Sequence, residues 1–209
     1  TFTAFRYEHE GDFFNALRTF SEVMQKDAGI ELPASEPEAF EPVWCAWGYE
    51  RTFTINEVIG TLDKVAELGF KWVDVDDGFQ IAEGDWETNK RFYYLSPVNP
   101  HTTEHTNMLL ERFLGTWGFD GLKIDGQHLN CCMPDHNEHS CLEYPAQSVE
   151  LMPTYFQNVF EKAREMNPHA VVQVCPCGCA MNYFHLPFFN QAVASDPTSS
   201  KQVRMKRKA

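Results

Sequence analysis

Apolar residues recur at Phe13, Phe14, Leu17, Phe20, Val23 and Met24 within GDFFNALRTFSEVMQKDAG, a spacing that gathers them on one side of a helix, and Gly29 follows as a stop. From residue 30 to 42 that period disappears. ELPASEPEAFEP mixes Pro, Glu and Ala and predicts a linker, so residues 1–42 read as an upstream helix and linker ahead of a second unit at 43–209. PVWCAW then forms a short apolar run suited to a buried strand. Thr54 and Glu57 have the spacing of a capping box, which opens a helix with Val58, Ile59, Leu62, Val65 and Ala66 on one face. Gly69 closes it, and FKWVDV predicts the next strand.

The alternation returns downstream. A helix is predicted over about 103–114, then Gly118 and a strand at GLKI; a second over about 153–166, stopped by Asn167-Pro168, then a strand at AVVQV. Strand and helix taking turns, with apolar strands covered on both faces, indicates a parallel α/β protein. Each strand also ends in polar or reactive residues: Trp47-Gly48, Asp76-Asp77-Gly78, Lys123-Ile124-Asp125, Cys175-Pro176-Cys177-Gly178 and Ser195-Asp196. Chemistry at the C-terminal ends of several strands is the arrangement of a (β/α)8 TIM barrel. No Gly-rich phosphate loop follows the first strand, so an open dinucleotide-binding sheet lacks its main signature.

Composition narrows the functions compatible with this pattern. The 43% hydrophobic content, with 17 Phe, 5 Trp and 7 Tyr, suffices for a packed core. A formal charge of −13 repels nucleic acid and anionic membranes, and the only basic run, KQVRMKRKA, is terminal. No nucleic-acid partner and no membrane is therefore expected, and no stretch reaches the apolar length of a membrane span. No signal-peptide pattern is visible. The seven cysteines are an odd number and cannot all pair within the chain.

Three aspartates crowd the stretch KWVDVDDGFQ. Asp76 and Asp77 fall where the strand emerges into a pocket, where ligand hydroxyls can meet their charge; Asp74, inside the strand, reads first as a structural hydrogen bond or ion pair. In Lys123-Ile124-Asp125 the strand period of two aims lysine and aspartate to the same side. A nearby ammonium keeps a carboxylate ionised, as a nucleophile requires, although a buried structural ion pair fits the triplet equally well. Asp196 is the best-placed second carboxyl. Two carboxyls flanking one bond, with polar residues to hold hydroxyls, is what glycoside hydrolysis needs.

VWCAWG, ELGFKWVDVDDGFQ followed by GDW, WGFDGLKIDGQ, VCPCG and ASDPTS, in this order, resemble the α-galactosidase (melibiase-like) glycoside hydrolases, including the branch with raffinose and stachyose synthases. The resemblance covers roughly residues 42–204. It implies a retaining enzyme on a (β/α)8 barrel, without cofactor or metal, acting on an oligosaccharide or other α-galactoside. By position it implies Asp125 as nucleophile, Asp196 as acid/base, Asp76, Asp77 and Lys123 as holders of sugar hydroxyls, and Cys175 and Gly178 at a strand end beside the sugar. Trp47 is implied as an apolar wall, with core packing as the alternative; Trp86 in GDW is a weaker candidate of the same kind.

Two departures from the family pattern are expected to matter. Between Asp85 and Asp125 there is room for one clear helix and the run FYYLSPV, where the family fits an additional helix, strand and helix. The units after the Asp196 strand are also absent. The expected barrel is incomplete, one βα unit missing internally and the last units missing at the C-terminus. The alternatives are a galactosyl transferase of raffinose-synthase type and a non-catalytic remnant that binds sugar weakly or folds only as a homo-oligomer. A third is a zinc-binding α/β protein, raised by Cys131, Cys132, His136, His139 and Cys141 with Cys175, Cys177 and Cys179. Neither cysteine cluster has the C-x2-C repeat of a finger-like site.

Overall fold

Helix α1 (Phe13–Asp27) begins at an Asp12 cap, whose carboxylate accepts from the backbone N–H groups of Phe14 and Asn15 at 3.1 and 3.2 Å and so satisfies two donors that a first turn leaves open. This is a computed structural model, and it describes residue 4 and residues 6–49, 53–76, 99–125, 143–144, 146–175 and 182–192. Of the predicted apolar stripe, Met24 is buried whereas Phe13 and Leu17 are exposed. Phe20 meets the Tyr183 ring edge-on at 5.3 Å, and Ser21 hydrogen-bonds the Tyr183 hydroxyl at 2.6 Å. The segment after α1 is tied down as well: Glu36 accepts from Arg164 and His169, and the Ala39 carbonyl accepts from Gln191.

Strands β1 (Val43–Cys45) and β2 (Trp72–Asp74) pair in parallel with Cys45 opposite Asp74, and helix α2 (Ile55–Glu67) makes the crossover that a parallel pair needs. The capping box forms: Thr54 Oγ1 accepts from the Glu57 N–H at 3.3 Å, and Glu57 Oε2 accepts from the Thr54 N–H at 2.6 Å. Gly69 sits at φ 87°, a left-handed turn that glycine adopts without steric cost. The predicted apolar face of α2 divides in two. Val58 and Val65, seven residues apart, are buried, while Ile59 and Leu62 are exposed. Val58 packs with Ala46 and Phe53 against Trp44 and Val73 of the two-stranded sheet and Val75 just beyond it, and the flanking stripe looks outward.

Helix α3 (Pro100–Leu110) starts earlier than the pattern predicts, because Asn99 caps the His101 N–H at 2.9 Å and Pro100 takes the first-turn position that needs no donor. It continues as a π-helical stretch, Glu111–Thr116, in which the Trp117 N–H reaches back to the Arg112 carbonyl at 2.8 Å and Phe113 lies 5.1 Å from the Trp117 ring.

The second sheet holds β3 (Gly121–Ile124), β4 (Val171–Val174) and β5 (Gln191–Ala192), parallel in that order. Helices α4 (Gln147–Glu150) and α5 (Met152–Met166) lie between β3 and β4 in sequence, and a 3-10 helix, Tyr183–Phe188, leads into β5. Glycine at 121 is required sterically, since a Cβ there would collide with the Val171 carbonyl. Leu114, Phe156, Ala163, Ala170, Val172, Val174 and Phe189 form the main core cluster. Buried Asn190 is satisfied within it, accepting from the Val172 N–H at 2.7 Å and donating to the Ala170 carbonyl at 3.0 Å. Among the described residues no ladder joins β2 to β3, and the two sheets do not close into a barrel.

Candidate active site

The C-terminal ends of β1, β2 and β3 carry the polar residues, and parallel pairing is the reason they gather. Because β1 and β2 run in the same direction with Cys45 opposite Asp74, the residues just beyond both strands emerge at the same end of the sheet. Asp76 lies two residues past Asp74, on the same side by the strand period. Its Oδ2 accepts from Cys45 Sγ at 3.1 Å and from Lys123 Nζ on β3. Lys123 Nζ also lies 3.6 Å from Asp74 Oδ2. One ammonium, two carboxylates and a thiol, contributed by three strands, thus form one cluster in which the Asp76 side chain is only 8% exposed.

Burial and mutual charge set the protonation of this cluster. Burial works against the Lys123 ammonium, but the hydrogen bond it donates to Asp76 and the charges of Asp74, Asp76 and Asp125 outweigh it, so the lysine is held above its ordinary range and stays charged. Asp74 shifts upward although Lys123 attracts it: burial dominates, and the neighbouring Asp76 charge adds to it. The two directions are compatible, since Lys123 responds to several carboxylates, while at Asp74 burial outweighs both the ammonium 3.6 Å away and a side-chain hydrogen bond with Cys45. Burial, then the bond to Asp76, pushes the Cys45 thiol up to about 12, with a backbone hydrogen bond from Trp47 pulling the other way. At neutral pH it is a protonated donor and a poor nucleophile.

Asp125 follows β3 directly, is exposed, and acts electrostatically on Lys123. The lysine's hydrogen bond goes across to Asp76, so the ammonium serves two strand ends. Trp47 stands in the 3-10 turn Ala46–Tyr49 after β1 with 44% of its surface exposed, while Trp44 packs inward on Val58 and its neighbours. Cys175 is buried at the end of β4, its N–H bonded to the Ile124 carbonyl at 2.9 Å. Asp77, Trp86, Gly178 and Asp196 lie outside the described residues, as do Cys131, Cys132, His136, His139, Cys141, Cys177 and Cys179. The cluster therefore brings together Asp76 and Lys123 of the predicted set, with Asp125 and Trp47 bordering it.

Cys45 is the member that sequence reasoning missed. Its place in PVWCAW marks it as strand interior, and only the pairing register aligns it with Asp74 and Asp76; the signal available was the period of two linking Cys45 to Trp47. Cys45, Asp74 and Asp76 have ligand atoms within 4.8 Å of one another, as a small cation site does, yet the Lys123 ammonium already lies against both carboxylates.

No family model matches the chain. Over an alignment of 279 residues it is 24% identical to the A type blood alpha-D-galactosamine galactosaminidase of Flavonifractor plautii, covering 99% of this chain and 25% of that protein. The chain spans about a quarter of the length of the curated relative it matches. Since 279 aligned positions face a chain of 209 residues, the relative carries at least 70 residues in that span with no counterpart here. The chain is thus similar, along nearly its whole length, to a glycosidase.

Proposed function

We propose that this chain derives from a (β/α)8 barrel of a retaining glycoside hydrolase that acts on terminal α-galactosides or their 2-amino counterparts. The observation that carries the reading is the bond from Lys123 to Asp76, which draws the C-terminal ends of β2 and β3 together although no ladder joins those strands among the described residues. A charged lysine beside ionisable carboxylates at converging strand ends is suited to gripping sugar hydroxyls, and Asp125 borders it. In the proposed reaction Asp125 attacks the anomeric carbon as the glycosidic bond breaks, while Asp196 gives its proton to the departing oxygen. Asp196 then takes a proton from water, which displaces Asp125 and returns the sugar with its original configuration. A sugar acceptor in place of water gives the transferase reaction with the same groups. The amino-sugar alternative rests on the name of the Flavonifractor relative.

Incubation with aryl α-galactoside and aryl α-galactosaminide, with the first-formed anomer followed by NMR, tests this reading. Retention of the α configuration and loss of turnover in Asp125→Asn are expected; inversion, or an unchanged rate in that variant, rejects it.

A second reading has its own support. The shortfall of at least 70 aligned residues exceeds one βα unit, and β2 and β3, between which the sequence leads us to expect a missing unit, share no ladder among the described residues. A sugar-binding remnant without turnover fits both. Binding of galactose with no hydrolysis of either aryl glycoside favours it.

A further inference from the structure

We propose that Cys45 is a positioning residue, whose thiol proton, donated to Asp76 Oδ2, fixes the orientation of the carboxylate that also accepts from Lys123. The role of that carboxylate toward sugar rests on the glycosidase reading above; the link between Cys45 and Asp76 does not.

Three observations carry the proposal. Cys45 Sγ lies 3.1 Å from Asp76 Oδ2, the same oxygen that takes the Lys123 bond, so the carboxylate is approached from β1 and from β3. Lysine is a compact charge with freely rotating donors and attracts a carboxylate without defining its plane; a second donor on a separate strand supplies the missing constraint. The strand backbone holds Cys45 in place, opposite Asp74 in the ladder, and a backbone hydrogen bond from Trp47 acts on the same sulfur. The thiol therefore connects the turn that carries the exposed Trp47 ring with the carboxylate, two elements implied to meet the same sugar. Its burial keeps the proton on sulfur, which a donor requires and a nucleophile does not.

The test compares wild type, Cys45→Ala, Cys45→Ser, Asp76→Ala and the Cys45→Ala/Asp76→Ala double variant, reading KM and kcat with an aryl α-galactoside and the melting temperature of each. A thiol is a weak donor but its acceptor is charged, so Cys45→Ala is expected to raise KM about five-fold with kcat within about two-fold, and Cys45→Ser to recover most of that loss. In the Asp76→Ala background, Cys45→Ala should change KM no further and should lower the melting temperature less than it does in wild type, since only its bond to Asp74 is then left to lose. Equal effects of Cys45→Ala in both backgrounds, or an unchanged KM in the single variant, overturn the proposal. If wild type neither cleaves nor binds galactosides, the glycosidase reading fails separately. The melting-temperature cycle then decides: additive losses refute the hold of Cys45 on Asp76, and non-additive losses uphold it.

Discussion

Lys123 on β3 donates its ammonium proton to Asp76 beyond β2, across a boundary that no ladder hydrogen bond spans among the described residues. The side chains are 20% and 8% exposed, so the pair is largely withdrawn from water. Such a pair contributes modestly when intact and becomes costly when broken, because the surviving charge has no replacement solvent.

Lys123→Met should therefore destabilise the fold by about 3–5 kcal/mol, since two carboxylates would lose their shared cation. Urea unfolding at pH 7 checks this; a loss below about 1 kcal/mol would mean that water reaches the cluster as freely as a surface pair.

Asp74→Asn should act in the opposite direction. Burial and the Asp76 charge raise the Asp74 carboxyl above its usual range, so its ionised form is disfavoured more in the folded than in the unfolded chain, and at pH 7 it costs stability. The amide removes that cost. A higher melting temperature than wild type is expected at pH 7, and the gain should vanish as pH falls through the carboxylate range, where Asp74 is itself neutral. A variant less stable than wild type at pH 7 would show that the 3.6 Å contact to Lys123 outweighs burial.

His185 should set an acid limit. Its ring is 1% exposed, packs edge-on to Phe156 at 4.9 Å, and its Nε2 has no hydrogen-bond partner among the described residues. Burial lowers its pKa from 6.5 to about 4. Above 6.5 the ring is neutral in both states and the shift has no effect; between 6.5 and 4 only the unfolded chain takes up the proton, so stability falls by about 1.4 kcal/mol per pH unit. Denaturant titrations at pH 7, 6 and 5 should show this slope in wild type and a flatter one in His185→Phe. Parallel slopes would assign the acid sensitivity elsewhere.

Asp196→Ala separates acid catalysis from binding. A positioned proton donor contributes about 10²–10⁴-fold, but only for leaving groups that need the proton. Cleavage of an alkyl or sugar aglycone should fall by that factor, while release of a nitrophenolate should fall far less in the glycosylation step, read by burst kinetics. The same loss with both leaving groups would exclude an acid role.

Much of the local structure was legible because its causes are local. The Thr54–Glu57 capping box, the left-handed stops at Gly29 and Gly69, and the helices and strands that follow depend on residues within a turn or two of each other. The expected ion pair of Asp74 also has a local basis: a charge inside an apolar strand must find a partner. The start of α3 is less legible, since the cap is Asn99 and Pro100 sits in the first turn, outside the apolar stripe of the helix.

Sequence alone determined which residues carry charge and reactivity and, for Trp47, Asp76, Asp125 and Cys175, that they follow successive strands, since strand period and turn chemistry are properties of neighbours along the chain. Tertiary structure decided the partners. Lys123, two residues from Asp125, donates instead to Asp76, 47 positions away; Cys45 enters the cluster through the β1–β2 register; and α2 turns Val58 and Val65 inward while leaving Ile59 and Leu62 outside. These outcomes depend on how separate strands and helices pack, and a hydrogen bond follows distance in space, which the order of residues does not specify.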